Sequence, residues 1–130
     1  MSNNSKTRIC VMVSGGGTNL QALLDAEKAG QIPSGEIALV ISNKKDAYAL
    51  ERAAKAGVKS VAFVKKELGG QEAFEAAILQ KLEEEKIDLI ILAGFLAILS
   101  ADFTRRWDHR IINIHPSLII LVSIILHAIN

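Results

Sequence analysis

Arg8-Ile9-Cys10-Val11-Met12-Val13-Ser14-Gly15-Gly16-Gly17-Thr18-Asn19 is the stretch whose reading decides the fold. Arg8 to Ser14 is rich in Ile and Val and reads as a first strand. The glycines make a turn, and Thr18 or Asn19 can cap a helix running to about Ala29, with Leu20, Leu23 and Leu24 on one face. A strand, a glycine turn and an amphipathic helix make the opening of a strand–helix–strand unit.

The same alternation continues along the chain. Glu36 to Ser42 is a second strand, and Ala47 to about Ala56 a helix that stops before Gly57. Ser60 to Val64 is a third strand. Gln71 to Lys86 is the clearest helix, with Phe74, Ile78 and Leu82 four apart on one face. Its Glu83, Glu84 and Glu85 fan around the helix and read as a solvated end rather than a paired-carboxylate site. Asp88 to Ala93 is a near-continuous apolar run, the pattern of a strand covered on both faces. A short helix from about Ser100 to Arg106 leads to a strand from Ile111 to Ile114. The pattern predicts an α/β domain, a doubly wound, mainly parallel sheet with helices on both faces.

Composition agrees and narrows the function. The 130 residues are 50% apolar and 22% charged, enough for one domain with a sizeable core and incompatible with a disordered or fibrous class. A formal net charge of +1 supplies no electrostatic case for nucleic acid or a membrane surface. Cys10 is the only cysteine, so no intramolecular disulfide and no cysteine-rich metal site can form. Its place in the first strand assigns it to packing. No cluster of His, Cys, Asp and Glu has metal-ligand spacing, and no metal is expected. Met1 to Thr7 is polar, lacks the apolar core of a signal peptide and is expected to fray; a cytoplasmic location is the default. Residues 120–130 form an aliphatic tail, too short for a membrane helix of about 20 residues. With exposed sheet edges, that tail leaves room for self-association.

Three strings carry chemistry. Ser14 to Asn19 joins a strand to a helix start, where glycines let backbone amides approach an anion and the helix dipole adds positive potential. It lacks the third glycine of the dinucleotide fingerprint and the Gly-Lys-Ser/Thr of a Walker loop. An anion site and a plain turn are the two readings, and the rarity of a glycine triplet favours the first. Ala93 to Leu99 follows the fourth strand, where open α/β sheets place ligands. Its apolar residues could wall a flat heterocycle, and a loop packing on the core explains them equally well. Asn113-Ile114-His115-Pro116-Ser117-Leu118 ends the last strand. Period-two alternation puts Asn113 and His115 on one side. An amide that can stabilise an oxyanion beside a titratable imidazole suits acyl transfer. A lone histidine is more often structural, but the strand end, the register with Asn113 and the adjacent Pro116 favour a functional role. His109, among charges, belongs to the surface.

Taken together these strings resemble the folate-dependent phosphoribosylglycinamide formyltransferases of purine synthesis. The matching pieces are Ser14 to Asn19, Ser42-Asn43-Lys44, Leu92-Ala93-Gly94-Phe95, Ile98-Leu99-Ser100 and Asn113 to Leu118, in that order. The resemblance implies transfer of a formyl group from 10-formyltetrahydrofolate, the donor substrate, to the amine of glycinamide ribonucleotide. It implies that Gly16, Gly17, Thr18 and Asn19 hold the substrate phosphate. It further implies that Leu96, Ala97, Ile98 and Leu99 line the folate pocket, with Gln71 at a position that touches folate in some members. Asn113 would bind the formyl oxygen, and His115 would act as general acid or electrostatic stabiliser.

The chain also departs from the family. Ala97 stands where many members carry arginine. Ile120 replaces a proline, after which members continue with a glycine-containing loop, further strands and an aspartate that orients the histidine. The expected organisation is therefore a frayed 1–7, a nucleotide-binding portion over 8–119, and an anomalous tail over 120–130. On this reading the C-terminal part of the family domain is expected to be missing, as after a truncation or a shifted reading frame. Loss of an orienting aspartate costs about 10⁴ in rate in the comparable serine-protease case, so little transfer activity is expected. The alternatives are a non-catalytic phosphate- or nucleotide-binding fragment, and another folate-dependent formyl-transferring or formyl-hydrolysing enzyme.

Overall fold

The computed structural model describes residues 6–114. In chain order the elements are β1 (Thr7–Val13), α1 (Thr18–Lys28), β2 (Gly35–Ser42), α2 (Tyr48–Lys55), β3 (Lys59–Ala62), α3 (Lys65–Leu68), α4 (Gln71–Glu84), β4 (Leu89–Ala93), α5 (Ala101–Arg106) and β5 (Ile111–Ile114). The strands form one sheet in the order β3-β2-β1-β4-β5, and every neighbouring pair is parallel. The chain steps outward from β1 to β3, then returns to the other side of β1 for β4. The sheet order therefore reverses between β1 and β4, the switch point at whose C-terminal strand ends open α/β sheets place their ligand crevice. The expected α/β architecture is the one observed.

Period-two alternation in β1 divides the core. Ile9, Val11 and Val13 face Leu20, Leu23 and Leu24 of α1 and Ala49 and Ala53 of α2. Cys10 and Met12 face Phe74, Ile78 and Leu82 of α4 and Phe103 of α5. All the α4 anchors are at most 1% exposed. Burying such side chains contributes about 1.5–3 kcal/mol each, so the spacing by four fixes which side of α4 meets the sheet. Cys10 is fully buried, and burial pushes its thiol pKa up, in keeping with a packing role.

Helix ends follow local rules, with exceptions that tertiary contacts explain. Gly57, at φ +74°, ends α2: Val58 N–H donates to the Ala53 carbonyl at 2.9 Å and Gly57 N–H to Ala54 at 3.1 Å. Neither Thr18 nor Asn19 caps α1, against expectation. Gly17 occupies the cap position in the left-handed conformation, no side chain bonds there, and Thr18 already lies in the first turn. The third strand spans Lys59–Ala62 rather than Ser60–Val64, because Val64 is the extended residue that starts α3. Glu85 is not a solvated end. Only 14% of its side chain is exposed, and it pairs with Lys59 at 2.9 Å, Lys81 at 3.7 Å and Arg8 at 3.9 Å. The hydrogen bond from Lys59 leads the causes that lower its pKa, ahead of the opposing effect of burial.

Candidate functional site

The C-terminal end of β1 is where the crevice is built. Ser14 follows it and is buried. Its amide donates to the Gly94 carbonyl at 3.2 Å, and its hydroxyl donates to Asn43 Oδ1 and accepts from Leu96 N–H, both at 2.7 Å. One small side chain thus ties the ends of β1 and β2 to the loop after β4.

The glycine turn lies directly beyond. Gly15 and Gly16 are exposed, and a Cβ on either would meet nothing within 4 Å. Gly17 differs: its φ is +78°, and a Cβ there would lie 2.7 Å from the Cβ of Ala49. The turn is held from the α2 side. Ala49 N–H donates to the Gly15 carbonyl at 3.2 Å, and Arg52 Nε to the Gly16 carbonyl at 2.7 Å. The first bond of α1 runs from Gln21 N–H to the Gly17 carbonyl at 2.8 Å, so the amides ahead of it have no partner within the helix. Gly16 and Thr18 are exposed and Gly17 and Asn19 half-buried, so this helix start is open to solvent. Such an arrangement can hold an anion.

The loop after β4 divides its residues. Ala97 and Leu99 pack on the α4 side of the core, while Leu96 and Ile98 are 78% and 77% exposed. The core-packing reading of this apolar string thus holds for Ala97 and Leu99, whereas Leu96 and Ile98 are left facing solvent. A depression of about 420 Å³ lies beside it, lined by Leu96, Ala97, Ile98, Phe74, Val64, Asn43, Lys65 and Lys66. Gln71 braces the loop: its Nε2 donates to the Ile98 carbonyl at 2.8 Å and to Glu75 Oε2 at 2.7 Å, and its Oε1 accepts from Lys65 at 3.1 Å. Glu75 also accepts from the amide and the hydroxyl of Ser100, both at 2.6 Å. Burial works to raise the Glu75 pKa, but the hydrogen bonds from Ser100 and Gln71 outweigh it and lower the value.

Asn113 is exposed, one residue before the end of β5, in one row with Leu92 of β4 and Met12 of β1. Two strand spacings separate it laterally from β1, about 10 Å. The turn, the loop and Asn113 therefore share the C-terminal edge of the sheet. His115 and the rest of its string, with Pro116 to Leu118 and the aliphatic tail, lie outside the described residues. His109 is on the surface, with 91% of its side chain exposed. Among the described residues no group of His, Cys, Asp and Glu could hold a metal ion, and no helix is long and apolar enough to cross a membrane. Lys65 and Lys66 were not singled out in the sequence. They enter the rim because α3, a single turn with no periodic signal, carries them there.

A family model described as "Formyl transferase" matches residues 7–119. The chain belongs to the formyl transferase family. Within it, phosphoribosylglycinamide formyltransferase of Haemophilus influenzae is 46% identical over 112 residues, a match covering 86% of this chain and 52% of the relative. The trifunctional purine biosynthetic protein adenosine-3 of Drosophila melanogaster is 42% identical over 120 residues, covering 92% of this chain and 9% of the relative. Among solved structures, glycinamide ribonucleotide transformylase 1 from Symbiobacterium toebii superposes with a TM-score of 0.79 at 42% identity, covering 86% of this chain and 52% of that one. This formyl transferase chain is thus a homologue of purine-biosynthetic enzymes and spans about half the length of the single-function relatives.

Proposed function

We propose that this chain carries the nucleotide-binding portion of a phosphoribosylglycinamide formyltransferase. In that reaction the amine of glycinamide ribonucleotide attacks the formyl carbon of 10-formyltetrahydrofolate, the bond from that carbon to the folate N10 breaks, and the proton lost by the amine is balanced by one gained at N10. The observation that carries the reading is the shared edge: a glycine turn suited to phosphate, the apolar loop after β4 and Asn113 all lie at the C-terminal end of the sheet, the turn two strands from Asn113. A phosphate and an amine at opposite ends of a ribose span a distance of that order. Gly16, Gly17, Thr18 and Asn19 would receive the phosphate. Leu96 to Leu99 would wall the pteridine, with Gln71 holding that wall in place, and Lys65 and Lys66 at the rim complement the carboxylates of a folate. Asn113 would donate to the formyl oxygen as charge gathers on it, and His115 would supply the proton or the compensating charge.

Binding is the step that the described residues support most directly. Calorimetric titration of the chain with glycinamide ribonucleotide is expected to show saturable binding that Gly16→Asp abolishes. Asp at this exposed position sets a carboxylate against the phosphate without disturbing packing. Binding that survives the substitution would remove the phosphate role of the turn. A formyl-transfer assay on the 130-residue chain is expected to give little or no turnover, and turnover at the level of the full-length relatives would overturn that expectation.

A further inference from the structure

We propose that Arg52 is a positioning residue for anion binding, holding the Gly16 carbonyl so that the Gly17 amide faces away from α2. The inference rests on the phosphate role of the turn proposed above.

Arg52 is fixed by several anchors. Its Nε donates to the Gly16 carbonyl at 2.7 Å, its Nη1 to Gln21 Oε1 at 3.2 Å, and its guanidinium carbon lies 4.9 Å from the centroid of the Tyr48 ring. The peptide bond is planar and trans here, so the C=O and N–H of one unit point in opposite directions. Drawing the Gly16 carbonyl toward Arg52 therefore turns the Gly17 N–H the other way. The preceding unit repeats the device, because Ala49 N–H holds the Gly15 carbonyl at 3.2 Å and so turns the Gly16 N–H away from α2.

Two successive amides aimed to one side, ahead of a left-handed Gly17 (φ 78°, ψ 33°), make an anion-binding nest. Consecutive glycines would otherwise sample many conformations, and ordering them would be charged against ligand affinity. The α2 tethers settle that ordering before the anion arrives. Ala49 supplies its tether from backbone, and Arg52 supplies the one that depends on side-chain identity.

The test separates a hydrogen-bonded brace from a direct charge contact. Arg52→Gln places an amide nitrogen after the same run of side-chain carbons as the arginine Nε, so it can still donate to Gly16 without charge. Arg52→Lys keeps the charge and puts carbon at that position. Arg52→Met supplies neither. Each variant of the 130-residue chain is titrated with inorganic phosphate and with glycinamide ribonucleotide, and its urea midpoint is measured. Arg52→Met and Arg52→Lys are expected to bind about tenfold more weakly, the scale of one hydrogen bond, and Arg52→Gln to recover most of the loss. Tight binding by Arg52→Lys with weak binding by Arg52→Gln would mean a direct charge contact and overturn the proposal. Equal weakening in all the variants would also overturn it, by showing a general packing role. Unchanged affinity in all of them would overturn it while leaving the phosphate turn standing. A parent chain that binds neither anion would remove both readings.

Discussion

Gly17→Ala tests how closely the glycine turn is keyed to α2. Two costs arise at once. The backbone sits at φ +78°, where an L side chain costs about 1–2 kcal/mol. The new Cβ would also lie 2.7 Å from the Ala49 Cβ and 3.0 Å from its Cα. Ala49 is fully buried, so it cannot yield toward solvent. Moving it draws away the N–H that holds the Gly15 carbonyl. Overpacking of this kind costs about 1–3 kcal/mol. The sum is about 2–5 kcal/mol, a large share of the roughly 5–15 kcal/mol that stabilises an ordinary domain. Urea denaturation followed by circular dichroism measures it, with Gly16→Ala as the control. Gly16 has open space and no left-handed φ, so alanine there should leave stability within about 1 kcal/mol of the parent. If Gly17→Ala lies equally close to the parent, the turn is not locked against α2 and the reasoning fails.

The Glu75 carboxylate predicts a pH dependence. A folded pKa below the ordinary 4.5 means that its contribution is present above that value and lost as pH falls through the folded pKa. Urea midpoints of the parent should therefore fall on acidification below about pH 4.5 more steeply than those of Glu75→Gln; Glu85, also lowered, keeps some slope in both. Parallel pH profiles would count against the Ser100 and Gln71 hydrogen bonds. In the core, Leu82→Ala removes a side chain only 1% exposed and should cost about 2–5 kcal/mol in the same denaturation experiment. A loss below about 1 kcal/mol would mean that α4 is not packed as described.

The architecture was legible because parallel strands covered on both faces are written as apolar runs. Val11 to Val13 and Ile90 to Ile91 could not be exposed, and Phe74, Ile78 and Leu82 could share one face only on a helix. What sequence did not show was decided by partners distant in the chain. A helix start with Thr18 and Asn19 invites a polar cap, yet α2 holds the turn so that Gly17 takes the position. The Glu83 to Glu85 run looks uniform, but Glu85 alone turns toward Lys59 on the far edge strand. α3 is too short for periodicity, so the cations it adds to the rim carried no signal. In the candidate site, the glycine turn and Asn113 were singled out from local chemistry alone, and the fold sets both at the C-terminal edge of the sheet. The bracing of Ile98 by Gln71, 27 positions away, required the fold.

Ser14 gives the crevice a property that neither rim has alone. Its single hydroxyl oxygen donates a proton to Asn43 beyond β2 and accepts one from the amide of Leu96 beyond β4. The proposed folate wall and the proposed phosphate turn thus share one rivet. Leu96 cannot move sideways without stretching a 2.7 Å bond to the residue from which the glycine turn springs. The two rims are therefore joined through one side-chain oxygen, and a displacement of either one strains a hydrogen bond that anchors the other.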